Sequence, residues 1–231
     1  MHLLMLGSAP MALAARDWPR APFDHILAIN NAWAVRDDWD AMIHPWDFPA
    51  DRRPTAAAHQ RLITQADFVP AQNAYGGFVY GGGTMAFTAA YWALDALKPK
   101  TIATYGCDMH YPATGPTHFY GTGTPDPLRA DITLRSLEAK SARLMILAAL
   151  QGCAMVNLSD GPSRLVFPHA TAATLPNQPA PFNQTLADMA LSVEAGLDYR
   201  VASGRYWEEA TRFDPARIDA LDALWLAAAQ P

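Results

Sequence analysis

Residues 80–126 set the strongest constraint on the fold. They read Tyr80-Gly81-Gly82-Gly83-Thr84, an apolar run to Leu97, then Thr101-Ile102-Ala103-Thr104-Tyr105-Gly106-Cys107-Asp108, and a loop holding His110, Tyr111, Thr117, His118, Phe119 and Tyr120. A glycine turn that opens a helix leaves backbone N–H groups aimed at whatever docks there. The strand after it ends on a carboxylate and delivers a polar, aromatic loop to the same place. That layout suits a phosphate ester.

The same pattern, a short apolar run closed by small or polar residues, recurs along the chain. Residues 2–6 end in Gly7-Ser8-Ala9-Pro10 and lead into a helical stretch at 11–15; residues 25–29 end in Asn30-Asn31. Residues 40–46 carry His44, and 153–158 end in Ser159-Asp160-Gly161-Pro162-Ser163. In open parallel sheets, ligands bind beyond the carboxyl ends of the strands, which is where these polar residues fall. The single glycine of the first turn does not make the dinucleotide fingerprint GxGxxG, so a nicotinamide dehydrogenase is not supported. Ser8 is a phosphate ligand or a helix cap. The two asparagines either close a turn or read a base edge or sugar hydroxyl. His44 is a structural residue or a weaker site candidate, and Ser163 a ligand contact or a turn residue.

Between these runs the sequence predicts a helix from Thr55 within 51–66, short strands at 68–70 and 75–80, a helix buried on several sides over 84–97, and a long helix over 126–152 that starts at Asp126-Pro127. Pro168, Pro176, Pro179 and Pro181 mark a linker, and helices follow at 182–195, 203–213 and 215–229. These last, with Trp207 and Trp225, are expected to cover a flank of the sheet or to form an oligomer contact. The expected architecture is α/β: a Rossmann-like three-layer sandwich with a mostly parallel sheet over 1–167, then a linker and helical extension over 168–231.

Of the 231 residues, 51% are hydrophobic and 17% charged, so the chain folds into a globule. The net charge of −5, with no basic run, argues against extended nucleic-acid binding. Cys107 and Cys153 lie in apolar segments and read as buried free thiols. The first residues have no basic flank and their apolar run breaks early, so neither a signal peptide nor a membrane span is expected and the cytoplasm is the expected compartment.

Asp108 has three available roles: metal ligand, anchor for the following loop, or base. A site without metal would meet phosphate charge with backbone N–H groups, hydroxyls and histidines. His118, set among aromatic residues beside the Gly-Thr-Gly-Thr stretch at 121–124, suits a general base at neutral pH. Bracing the loop is its alternative role.

The segments Leu6-Gly7-Ser8-Ala9-Pro10, Ala28-Ile29-Asn30-Asn31, Ile43-His44-Pro45, Gly83-Thr84-Met85-Ala86, Tyr105-Gly106-Cys107-Asp108 and Thr117-His118-Phe119-Tyr120-Gly121 fall in one order and spacing. In this the chain, over 1–167, resembles the bacterial sialyltransferases of glycosyltransferase family 42. It is also similar to the related MptE-like domains, some of which are 6-hydroxymethylpterin diphosphokinases. The resemblance implies that Gly7, Ser8 and Asn30 or Asn31 hold the CMP part of a nucleotide-sugar donor, with Thr84 near the position of the family's Ser-Gly turn. It implies that His110 or Tyr111, helped by Tyr120, holds the leaving phosphate.

There are departures. The family's catalytic histidine follows the glycine of a His-Tyr-x-Gly-His segment; this chain has Thr122 there and His118 at the earlier histidine. Its first turn reads Gly-Ser-Ala-Pro in place of Asn-Gly-Pro-Ser. Either His118 serves as base, with Asp108 beside it in the catalytic centre, or the family's reaction is not performed. The expected activity is a metal-independent transfer of a sugar from a nucleotide-sugar donor to a glycan acceptor, with no cofactor. The alternatives are an MptE-like diphosphokinase using ATP and a pterin alcohol, with magnesium held by Asp108 and Asp126, and a nucleotide- or glycan-binding protein without activity. A homo-oligomer is compatible with each.

Overall fold

Runs such as Leu3-Leu4-Met5-Leu6 and Ile26-Leu27-Ala28 are buried along their whole length, as strands covered on both faces must be. The computed structural model describes residues 1–112, 114–122 and 129–230. In it these runs form β1 (His2–Leu6) and β2 (His25–Ile29), followed by β3 (Ala41–Ile43), β4 (Arg61–Ile63), β5 (Thr101–Tyr105) and β6 (Ala154–Asn157). All pair in parallel, in the order β4-β3-β2-β1-β5-β6. β1 sits near the middle: Leu3 is opposite His25 on one side and Ile102 on the other.

Alternate side chains of the strands feed two separate cores. Leu3, Met5, Leu27 and Ile29 pack with α3 (Met85–Ala96), α4 (Leu137–Leu150) and the C-terminal helices α5 (Gln184–Leu197) and α6 (Pro215–Ala228). Leu4, Leu6, Ile26, Ala28 and Met42 pack against the 3-10 helices Pro10–Asp17 and Asn30–Val35, with Ala170, Ala172 and Leu175 of the linker alongside. The result is a three-layer, Rossmann-like α/β sandwich with C-terminal helices.

Several local expectations are overturned. No helix starts at Thr55; residues 53–60 are irregular and lead into the edge strand β4. The two stretches expected as strands at 68–70 and 75–80 belong to helices, α1 (Gln65–Ala74) and, in part, α2 (Phe78–Gly81). Residues 11–15 and much of 203–213 are helical but wound as 3-10. The long helix begins only at Leu137, where Ser136 Oγ accepts the N–H of Ala139; residues 129–136, expected within it, are irregular or, at Ile132–Leu134, wound as 3-10. Asp126 and Pro127, the expected helix start, lie outside the described residues, as do Gly123 and Thr124.

Thr84 caps α3: its hydroxyl accepts the N–H of Phe87 at 3.3 Å, and the residue is 3% exposed. Thr84→Ala is expected to cost about 1 kcal/mol, seen as a fall of about 2–4 °C in melting temperature. An unchanged melting temperature would show that the cap contributes nothing.

The C-terminal helices cover the flank of α4 through buried charge. Arg143 of α4 donates to both carboxylate oxygens of Glu194 at 2.6 and 2.7 Å and to Tyr91 Oη at 2.7 Å, while Trp225 Nε1 donates to Glu194 at 2.8 Å. The guanidinium also faces the rings of Tyr80, Tyr91 and Trp225 at 5.9, 5.7 and 5.7 Å. Nearby, Lys140 pairs with Asp222 at 2.8 Å, both buried. Both cysteines are free and buried, and burial pushes their thiols up, that of Cys153 to about 12. No described helix is long and apolar enough to cross a membrane.

Candidate functional site at the strand ends

The chain lays β1 to β4 outward in one direction and then returns to place β5 on the other side of β1. Where strand order reverses in this way, the connections leaving adjacent strands diverge and open a crevice at their carboxyl ends. At this reversal two turns are in backbone contact. Gly7 N–H donates to Tyr105 O at 2.8 Å and Ala9 N–H to Gly106 O at 3.1 Å. A Cβ at Gly7 would stand 2.6 Å from the carbonyl carbon of Gly106 and 2.8 Å from Cys107 Sγ, so the approach requires glycine. Pro10 has no N–H and that of Ala9 is taken, so this turn offers an anion fewer backbone donors than a helix start usually does. Ser8 is half-buried beside it.

The aromatic loop is fastened to this turn. Phe119 N–H donates to Ser8 O at 3.0 Å, and His118 and Gly121 exchange backbone bonds of 3.0 and 3.1 Å. The His118 ring stacks on Tyr120 at 4.9 Å and lies 6.0 Å from Tyr111; Tyr120 is 47% exposed. His118 Nδ1 is hydrogen-bonded to Thr117 Oγ1 at 2.9 Å. Burial lowers the imidazole pKa below its ordinary value, which favours the neutral ring. His110 is exposed.

Asp108 is 3% exposed. Its Oδ1 accepts from Asn157 Nδ2 at 2.8 Å, and Oδ2 has no hydrogen-bond partner among the described residues. Asn157 also donates to Ser163 Oγ at 3.2 Å, which brings Ser163 to Asp108. Asn157 itself was not among the residues expected from sequence, because it closes an apolar strand. The signal was there: a lone amide in a buried run must find partners.

On the other side of β1, Asn30 takes a left-handed conformation, φ 51°, with its Oδ1 buried and unpartnered, and Asn31 is half-buried. His44 ends β3 further out, buried, with Nδ1 2.8 Å from Pro45 O and its ring beside Phe48. Gly83 and Thr84 belong to the α3 layer. A Cβ at Gly83 would meet Thr133 Oγ1 at 2.5 Å and Tyr206 Oη at 3.1 Å, so this turn is filled by the protein's own side chains. The structure thus gathers Gly7, Ser8, Asp108, Tyr111, His118, Tyr120 and Ser163 around β1 and β5. Asn30, Asn31 and His44 follow along the same rim, and Gly83 and Thr84 stand apart.

The chain also contains an Asp-x-Asp pair, Asp38-Trp39-Asp40. It lies before β3, at the opposite end of the sheet, where Asp38 is bound by Arg36 and Asp40 by Arg20 and the N–H of Ile26. Among the described residues no group of three or more His, Cys, Asp or Glu is placed to hold a metal ion; Asp126, a magnesium candidate, lies outside them. Two cavities occur elsewhere. One of about 310 Å³ is lined by Tyr75, Tyr80, Arg143, Leu191, Glu194 and Arg200. The other, of about 410 Å³, is lined by Tyr75, Leu94, Lys98 and Gln151 near the amino ends of β5 and β6.

Comparisons with protein-family models, with curated proteins and with solved structures find no match for this chain.

Proposed function

We propose that this chain is a cytoplasmic, metal-independent glycosyltransferase of the sialyltransferase-like kind, moving a sugar from a CMP-linked donor to a glycan acceptor. The observation that carries the reading is the bond from Phe119 N–H to Ser8 O, which pins a neutral imidazole beside the turn at the strand-order reversal. A general base must be unprotonated and next to the reacting centre; the lowered pKa of His118 and its place beside the Ser8 turn support this reading.

In the proposed reaction Nδ1–H of His118 donates to Thr117, leaving Nε2 to take the proton of the acceptor hydroxyl. The acceptor oxygen forms its bond to the anomeric carbon as the bond from that carbon to the donor phosphate breaks. The departing CMP carries the negative charge, which Tyr111, Tyr120 and His110 stabilise by hydrogen bonds.

His118→Gln is expected to lower the rate of CMP release from a CMP-linked sugar by about a hundredfold, with CMP affinity retained. Because burial lowers the His118 pKa, the acid limb of the rate profile should fall below the usual histidine value of 6.5. Full activity in the variant, or a rate abolished by chelator, would end this reading.

A further inference from the structure

The unpartnered oxygen of Asp108 is the least explained atom at the rim. Buried carboxyl oxygens are ordinarily hydrogen-bonded, and a fold that leaves one bare loses stability by doing so. The arrangement around it is fixed. Ser159 N–H donates to Asn157 Oδ1 at 3.0 Å, so the amide of Asn157 must point its nitrogen the other way. The two hydrogens of that nitrogen go to Asp108 Oδ1 and Ser163 Oγ. Nothing is left on Asn157 for Oδ2. The Asp108 main chain is held too, its carbonyl accepting from Arg164 N–H at 2.9 Å, and Met109 turns the chain away at φ 51°.

Ser163 shows the complementary vacancy. Its Oγ accepts twice, from Asn157 Nδ2 at 3.2 Å and from Leu165 N–H at 3.1 Å, and these bonds leave its own hydrogen free to donate. An open acceptor and an open donor are therefore held by one amide nitrogen. A hydroxyl group donates once and accepts, and fits both. An ammonium would satisfy Asp108 alone, and a phosphate or carboxylate oxygen would satisfy Ser163 alone.

We propose that Asp108, Asn157 and Ser163 form a subsite that binds a sugar hydroxyl, Asp108 Oδ2 accepting from it and Ser163 Oγ donating to it. This rests on the glycosyltransferase reading only for which molecule carries the hydroxyl, the ribose of the nucleotide or the sugar itself.

The test compares the wild-type chain with Asp108→Asn, which keeps an oxygen for Asn157 and replaces the bare acceptor with an NH2 group. In calorimetric titrations with CMP, 2′-deoxy-CMP, 3′-deoxy-CMP, galactose and N-acetylneuraminic acid, at least one probe bearing the recognised hydroxyl should bind the variant about tenfold more weakly. If the hydroxyl is on the ribose, the matching deoxy analogue loses nothing; if it is on the sugar, a free sugar shows the loss and the nucleotides do not.

If no probe depends on Asp108, the subsite is overturned. CMP bound equally by both proteins with no sugar dependence sinks the subsite and leaves the nucleotide reading standing. A free sugar that depends on Asp108 while CMP fails to bind the wild type does the reverse.

Discussion

Gly7→Ala is expected to cost about 4 kcal/mol or to prevent folding altogether. The atoms that a methyl group would meet are the backbone carbonyl of Gly106 and the sulfur of Cys107, with the carbonyl carbon at 2.6 Å. Those atoms cannot swing aside as the end of a lysine could, because Gly7 N–H and Ala9 N–H tie the two turns together. Relief requires β1 and β5 to part at their carboxyl ends, in a core packed too densely to absorb the shift. At about 2–4 °C per kcal/mol, the melting temperature should fall by roughly 8–16 °C. Gly196→Ala is the control. Nothing lies within 4 Å of a Cβ there and the residue is in α5, so a gain of about 0.5–1 kcal/mol is expected. A Gly7→Ala protein that melts with the wild type would show that the two turns do not meet as described.

Glu194→Gln should be nearly as damaging. Arg143 and Glu194 are 2% and 7% exposed at the side chain, and the carboxylate meets the guanidinium through two direct bonds. Neutralising one partner leaves the other charged without compensation, which typically costs about 3–5 kcal/mol. The melting temperature should drop by about 10 °C. Replacing both residues, Arg143→Met with Glu194→Gln, should recover a large part of the loss, because the pair's favourable interaction only offsets the cost of taking two charges out of water. Differential scanning calorimetry decides it, and single and double variants that lose stability additively would refute the coupling. Since Trp225 donates to the same carboxylate, its fluorescence reports whether α6 stays docked.

The sheet was legible because β1, β2, β5 and β6 are mostly apolar and buried almost from end to end, the pattern of strands covered on both faces. β4 was not. It has three residues, with Arg61 exposed at its start, too short to display any period. At 68–70 and 75–80 aromatic and β-branched side chains suggested strands, yet Thr64 and Asp67 already carried the signature of a helix start, and Asp67 does accept the N–H of Thr64 at 3.0 Å. At the rim, the sequence pointed to Asp108, His118 and Ser163 through their positions after apolar runs or in polar turns. It could not show that Asn157 joins Asp108 to Ser163, since these contacts span 49 and 6 residues of chain and depend on how β5 and β6 align. Nor could it show that the Gly83 turn is filled by Thr133 and Tyr206 from distant segments.

The position of β1 has a consequence for synthesis. β1 takes a central place and leaves the ribosome ahead of both its neighbours, but the partner on its second side begins only at Thr101. At about 5–20 residues per second, one row of its peptide groups stays open for roughly 5–20 s, with hydrophobic side chains around it. During that interval the growing polypeptide presents an adhesive border to other nascent chains, so its yield in the cell should depend on holdase chaperones far more than the finished molecule's stability suggests.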